Sequence, residues 1–471
     1  MKIKEKNMKG EASPSLHTCG FTLPPLRGFR PRNAPAIIAL VFALATISLS
    51  AQDDFAGQSF GFDDAGETAA AGRSSFAVNI GGEAGMTLLS YTDDLSKGLG
   101  NVKQPGEIDA SLNFSAVGSF GEAVINLKLN TGNLPNIVSF DEVYARAWFG
   151  DFEIEAGMRK LTWGKADSLG PLDVINPLDY SELTSLDDIM NIKIANTMVH
   201  GSYRFGQFSK IEAVFVPVFE PWHFAKIGGR WTPSQFALIP AALIPNINIP
   251  NTESLGYAQA GLRFTTTAGP ADIGFQYYYG YMGSPAMRFS LSGGYPSGLS
   301  LVYNPDHQIG VDWAQVLFGF NVRAELAANI TSDLEGDDGA VYNPQLAWAF
   351  GFDRDLVWGI NLNIQVTETV KLLYDKIADT PMMDTETGAD ATSTRFTGVL
   401  SKKFLRDELE LRAAAMWGIE DGDFLIMPAV IWTKDAVALE VSAGIFGGDK
   451  AGQLGQYRDN TFIKVGMKYT F

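Results

Sequence analysis

From Glu107 onward the chain alternates apolar and polar positions in short runs, hairpin after hairpin. Ile108, Ala110, Leu112, Phe114 and Ala116 interleave with Asp109, Ser111, Asn113 and Ser115. After Gly118-Ser119-Phe120-Gly121 the chain returns through Ala123, Ile125, Leu127 and Leu129, with Asn126, Lys128 and Asn130 on the other face. A period of two predicts strands with one apolar and one wet face. The pattern recurs at 143–149 and 152–158 around Gly150-Asp151, at Tyr203 and Phe205 leading into Gly206, and at Ile211, Ala213 and Phe215. It continues through Ala260, Leu262 and Phe264 to Gly269-Pro270, then through Ile273, Phe275, Tyr277, Tyr279 and Tyr281. Val316, Phe318, Phe320, Val322, Ala324 and Leu326 read as one run opposite Gly319, Asn321, Arg323 and Glu325. Further runs start at Trp358, Leu409 and Val437.

Connection lengths add a second rhythm. Short turns are expected near 118–121, 150–151, 206–207, 268–271, 353–355, 404–407 and 433–436. Long connections rich in Gly, Pro, Asp and Asn are expected near 91–106, 219–252, 283–307, 330–342, 375–393 and 447–459. No run beyond the first fifty residues is long and apolar enough for a spanning helix. A chain that crosses lipid without helices must close its strands on themselves, because lipid cannot satisfy free N–H and C=O groups. The expectation is an all-β fold: a transmembrane antiparallel up-and-down β-barrel of about 16–18 strands, with short turns on one side and long loops on the other. Residues 75–471 are expected to form this barrel.

The leader changes the picture of where the chain goes. Lys2, Lys4, Lys6, Lys9, Arg27, Arg30 and Arg32 precede an uncharged apolar run at 34–49, followed by Ser48, Ser50 and Ala51. That order predicts a cleaved signal peptide at 1–51. The apolar run is short for a spanning helix, which needs roughly 20 residues. Cys19, the single cysteine, lies before the run, so disulfides and a lipid-acceptor cysteine are not expected downstream. Residues 52–74, rich in Gly, Ala and Asp, read as a flexible periplasmic tail. The chain carries a net charge of −17, and its remainder without the basic leader is more acidic still. Nucleic acid is therefore not an expected partner.

The last strand places Ile463, Val465, Met467, Tyr469 and Phe471 at every second position and stops on Phe471. Met467, Tyr469 and Phe471 resemble the C-terminal signature of outer-membrane proteins, which implies the barrel-assembly machinery and outer-membrane lipid as partners.

Inside the expected barrel, Arg146, Arg204, Arg263, Arg323 and Arg412 stand among Glu153, Glu155, Glu212, Glu325 and Glu410 on the wet faces. They either set a lumen field that selects solutes or brace the wall as pairs. The segment 159–188 loses the alternation and gathers Arg159, Lys160, Trp163, Lys165, Asp167, Asp173, Asn176 and Asp179 among Gly and Pro. It predicts an infolded loop that narrows the pore, with Trp163 as a stacking surface and Asp167, Asp173 and Asp179 as acceptors for Arg159, Lys160 and Lys165. The bland reading is a wall anchor with a buried Trp. Here the chain resembles a porin-like outer-membrane family first catalogued as a domain of unknown function. The resemblance rests on Arg159, Trp163-Gly164, and Asp173-Val174-Ile175-Asn176-Pro177-Leu178-Asp179, with Val214 to Pro221 similar to a following block. It implies a barrel and membrane location, and names no substrate.

The Pro-punctuated apolar loop 219–251 would either collect hydrophobic substrates or pack over the barrel mouth. His200, His223 and His307 have no metal-ligand spacing, and no thiol, Gly-x-Ser-x-Gly or phosphate-binding loop follows the leader. Enzymatic activity, metal and cofactor are not expected. The favoured function is passive diffusion of small polar or anionic solutes. The alternatives are a channel for hydrophobic compounds of the fatty-acid-transporter type and a non-conducting surface adhesin or assembly barrel. Oligomeric state stays open, with a homotrimer one option.

Overall fold

The computed structural model describes residues 77–96, 106–133, 137–186, 189–237, 239–380 and 382–471; the expected signal peptide and tail lie outside them. The wall opens with β1 (Ala77–Tyr91), β2 (Glu107–Val117), β3 (Gly121–Asn130), β4 (Val138–Phe149) and β5 (Phe152–Arg159). A long segment carrying the two-residue β6 (Asp179–Tyr180) leads to β7 (Asn196–Phe205) and β8 (Ser209–Val216). A second carries β9 (His223–Phe224) and leads to β10 (Gln259–Ala268) and β11 (Ala271–Tyr281). A third folds as its own hairpin, β12 (Ala286–Ser292) with β13 (Tyr295–Val302). The wall then runs through β14 (Pro305–Leu317), β15 (Phe320–Thr331), β16 (Gln345–Leu356), β17 (Ile360–Lys371) and β18 (Thr392–Phe404). It ends with β19 (Leu409–Gly418), β20 (Phe424–Lys434), β21 (Val437–Gly447) and β22 (Phe462–Thr470).

Eighteen of these strands form one antiparallel sheet. Its ends meet: β1 pairs with β22 from Glu83 opposite Thr470 to Tyr91 opposite Phe462. The backbone amide and carbonyl of Gly82 and Phe471 exchange two further hydrogen bonds of 2.9 Å. A β-carbon on Gly82 would lie 2.4 Å from the Ser111 carbonyl and 2.8 Å from the Phe471 ring, so this seam needs a glycine. Closure leaves the wall without a bare edge, the condition for sitting in hydrocarbon.

The period of two sorts the side chains as expected. Leu262, Phe275, Ile309, Leu326, Val441 and Val465 are exposed on the outer face. Gln259, Arg263, Gln276, Gln308, Asp312 and Glu325 alternate with such residues and are buried inside. Exposed apolar outside and buried polar inside inverts a water-soluble protein, and suits a wall with lipid around it and polar contents within. Among the described residues no helix is long and apolar enough to span a membrane.

Three expectations about the wall are corrected. The run from Val316 to Leu326 is not one strand: a two-residue turn at Phe318 (φ 53°) and Gly319 (φ 82°) divides it. Such a turn changes parity, so Val316 pairs with Asn321 rather than sharing a face with Val322. The turn expected at 353–355 lies instead at 357–359, with Trp358 at φ 65°. Asp353 and Asp355 resemble turn residues in sequence but are strand residues whose carboxylates face Arg323 and Asn361. Shorter connections after Asn130 and Gly418, absent from the expected set, complete the long-loop end.

Candidate functional site: the segment across the lumen

Between β5 and β7 the chain turns inward and crosses the barrel. It leaves the wall at Arg159, reaches β15, β17 and β18, and returns to β7. In the circular strand order β5 and β18 stand on opposite sides of the eighteen-strand wall. The infolded loop is therefore a crosspiece.

Its departure is held by Asn176. The Asn176 side chain donates to the carbonyls of Arg159 and Ile194, both at 2.8 Å, and accepts from the Leu161 amide at 2.7 Å. One buried amide thus ties the outgoing and incoming legs together. Lys193, with its side chain 1% exposed, pairs with Asp173 at 2.6 Å and donates to Thr162 at 2.7 Å. Burial pushes the Asp173 carboxyl above its usual range even though Lys193 opposes the shift. Lys160 pairs with Asp141 at 2.9 Å and its amide donates to Glu142 at 2.9 Å. A bulge opposite Asn126 turns both acids inward. Burial lowers the Lys160 pKa against the pull of Asp141.

The far end is held by Glu325. Its carboxylate accepts from the amides of Lys165, Ala166 (2.7 Å) and Leu172 (3.3 Å). Gly164 (φ +97°) supplies the left-handed bend that aims these amides at one acid. Beside it, Gln365 accepts from the Asp167 amide at 2.9 Å and donates to Ser168 at 2.9 Å, and Ser168 meets Thr397 at 3.3 Å. Gln308 and Gln276 donate to the carbonyls of Pro171 (2.8 Å) and Leu172 (2.9 Å). Arg263 orients Gln276 at 2.6 Å and pairs with Asp312 at 2.6 Å. Wall side chains satisfy the crosspiece backbone, as a buried loop requires.

Trp163 is 2% exposed and packs with Ile175, Met198, Val214, Val216 and Tyr278. It is an anchor rather than a stacking surface. A β-carbon at Gly261 would be 2.8 Å from its ring, which explains the small wall residue there. The expected ion pairs are also corrected. Asp167 pairs with Arg323, Asp173 with Lys193, and Asp179 accepts from the Ser181 amide at 2.9 Å. Arg159 and Lys160 turn to wall acids, Glu155 and Asp141, because those stand on the strands beside them. Lys165 contributes its amide to Glu325.

The lumen arginines meet carboxylates. Arg146 reaches Glu122 (3.1 Å), Glu153 (3.2 Å) and Glu155 (2.6 Å), and Arg323 joins Asp167 and Asp353. Arg204 stands near the short-turn rim, where its amide donates to the Asp151 carbonyl at 3.0 Å. Arg412 lies opposite Ser401 and Ala429 on the inner face. Sequence reasoning missed His200, which lies between Glu155 (3.5 Å) and Glu212 (3.4 Å). Its strand parity was the available signal. It also missed Glu142, Lys193, Gln276, Gln308 and Gln365 as holders of the crosspiece.

The loop 217–258 crosses above. Arg230 pairs with Asp93 (3.1 Å) and Asp94 (3.2 Å) and lies 4.0 Å from the Tyr91 ring centroid. Trp231, 5% exposed, packs among Tyr91, Phe446 and Tyr457. Phe236, Ile239 and Leu243 of the same loop pack on Leu299, while Ile249 and Leu255 stay exposed. This loop and the crosspiece clasp each other through β6 and β9, Asp179 beside His223 and Tyr180 beside Phe224.

No family model and no curated relative matches this chain. Solved barrels resemble it in overall shape. OccK11 (OpdR) of Pseudomonas aeruginosa shares 8% identity over 84% of this chain and 96% of its own, at a TM-score of 0.48. Wzi, described as a carbohydrate-binding β-barrel of group 1 capsule assembly in Escherichia coli, shares 10% over 83% and 84%, at 0.46. OmpF of Salmonella typhi shares 8% over 84% and 97%, at 0.41.

Proposed function

We propose that the chain is an outer-membrane channel through which small water-soluble solutes diffuse down their gradients, and that the crosspiece sets the size of what passes. The observation that carries this reading is the Glu325 clamp. A wall carboxylate and three glutamines hold an inward segment across a closed barrel whose outer face is apolar. A surface adhesin or assembly barrel has no need of a rigid bar inside its lumen, whereas a pore of this strand number needs a constriction. The crosspiece fills the side near β11 and β14, where Leu172 is 0% exposed. On the other side a recess opens between 167–169 and the wall from β17 to β20, and we assign the path to that side. Short turns would face the periplasm and long loops the outside. The motif from Arg159 to Asp179 is proposed to be the shared constriction element of the porin-like family that it resembles.

An anion preference finds less support than a size limit. Arg146, Arg159, Arg263 and Arg323 together meet six carboxylates, Glu122, Glu153, Glu155, Asp312, Asp167 and Asp353, so no positive field is left over to draw anions. Planar-bilayer recording of refolded protein tests the reading. Stepwise conductance is expected, with no preference for chloride over potassium in the native channel. Arg323→Ala, which strips the partner from Asp167 and Asp353, should shift the reversal potential toward cation preference. A silent bilayer from correctly folded protein would sink the proposal.

A further inference from the structure

The path between the crosspiece and the wall has two unlike sides. The strand register sets Val399 beside Ala414, Ala414 beside Met427, and Met416 beside Leu425, all on the inner face. These five side chains form an apolar patch on the inner face, where an ordinary water-filled pore would carry polar residues. Ala414, Leu425 and Met427 are covered by a cluster that includes Leu183, Trp231 and Tyr457, and Val399 and Met416 are left partly exposed. Leu169 and Leu186 of the crosspiece extend the patch. Along its edge lie Asn363, Thr397 and Ser168. Thr397 and Ser168 lie 3.3 Å apart, and among the described residues the Asn363 amide makes no side-chain hydrogen bond. The recess between these sides has a cavity volume of about 140 Å³ and is open on one side. That space accommodates one six-membered ring, with its substituent reaching into the open side.

Resting on the channel reading above, we infer that this recess is a selective binding station for amphipathic solutes: small uncharged molecules with an apolar ring and a hydroxylated edge. The ring lies on Met416, Val399 and Leu169, with Met427 backing them from beneath, where it loses water from its face. The hydroxyls bond to the Asn363 amide and Thr397. Methionine suits such a surface, because its flexible, polarisable thioether adapts to flat rings of differing outline. A charged solute gains nothing here, since the neighbouring Asp167 is already neutralised by Arg323. A wholly polar solute such as a simple sugar binds more weakly through its hydroxyls alone, having no face to place on the patch.

Phenyl β-glucoside and methyl β-glucoside separate these cases, because they share a sugar and differ in the apolar ring. Both are measured by block of potassium chloride current in planar bilayers and by calorimetric binding to the detergent-folded full-length barrel. The phenyl glycoside should half-block and half-saturate at roughly tenfold lower concentration, as expected for partial burial of one ring. Met416→Asn and Met427→Asn should bring the ratio of the two glycosides toward one. Asn363→Leu should weaken both, the methyl glycoside more in proportion. Ala414→Ser, a smaller change, serves if either methionine variant fails to assemble. Equal affinities in the native barrel, or an undiminished ratio in the variants, overturn the inference while leaving conductance intact. Tighter phenyl glycoside binding to a barrel that passes no current keeps the recess and overturns the channel instead.

Discussion

Gly164 and Glu325 occupy adjoining space so closely that a β-carbon at position 164 would lie 2.3 Å from the Glu325 carboxylate. Neither residue can change without the other giving way, since Gly164 also holds φ +97°. Gly164→Ala and Glu325→Ala should therefore produce the same phenotype from opposite sides. Each carboxylate-accepted bond contributes about 1.5–3 kcal/mol. Loss of the set should release the far end of the crosspiece while the barrel, held by its own ladders, stays folded. Conductance and current noise should rise in both variants, with heat-modifiable migration on gels unchanged. Unchanged conductance in Glu325→Ala would mean that the Gln276, Gln308 and Gln365 contacts suffice.

The contact of Arg230 with Asp93, Asp94 and Tyr91 closes the upper loop onto the opposite wall. The ion pairs are partly exposed and should weaken with salt. The indole of Trp231 beneath them is the firmer anchor. Trp231→Ala should loosen the loop by roughly 3 kcal/mol, the lower end for buried aromatic truncation. Limited trypsin digestion reads this directly, through cleavage after Lys226 and Arg230. Cleavage there should accelerate strongly in Trp231→Ala and mildly in native protein at high salt; equal rates in all three would place the anchor elsewhere.

His223 gives the clasp between the two inward loops a pH dependence. Burial works against its charge, but the hydrogen bond to Glu220 at 2.7 Å, and the charges of Glu220 and Asp179, outweigh burial and raise its pKa. A value raised above the unfolded one, about 6.5, stabilises the clasp fully below that pH and is lost as pH climbs through the folded value. Amide exchange around 179–180 and 223–224 should therefore speed up as the solution turns alkaline. Glu220→Gln should move the onset to lower pH. An exchange profile that is flat in this range after correction for intrinsic rates would remove His223 from the clasp.

The alternation of Ile108 to Ala116, or of Ile463 to Phe471, was legible because the bilayer and the lumen impose a periodicity of two on every wall residue independently. Local pattern failed where parity itself changed. The Phe318-Gly319 turn interrupts no alternation on paper, and Asp353 and Asp355 read as turn formers although they are wall acids.

The crosspiece was legible in outline only. Its departure from alternation, its glycines and its prolines announced a loop that could not belong to the wall. Which side chain satisfies which backbone group was not, because Glu325, Gln365 and Thr397 lie 153 or more residues from their partners. Local chemistry suggested that the Asp and Lys residues near 160–180 would pair among themselves. Tertiary structure paired Asp167 with Arg323, because barrel closure brings β15 across from β5, while Lys160 turned to Asp141 of β4 and Asp173 to Lys193 on the returning leg.

The sequence by itself determined the strands, their inner and outer faces and the existence of an inward segment, each being a property of neighbours along the chain. Closure at eighteen strands, the burial of Trp163 and the apolar recess were decided by the tertiary structure. Each depends on residues that meet only once the first strand has found the last.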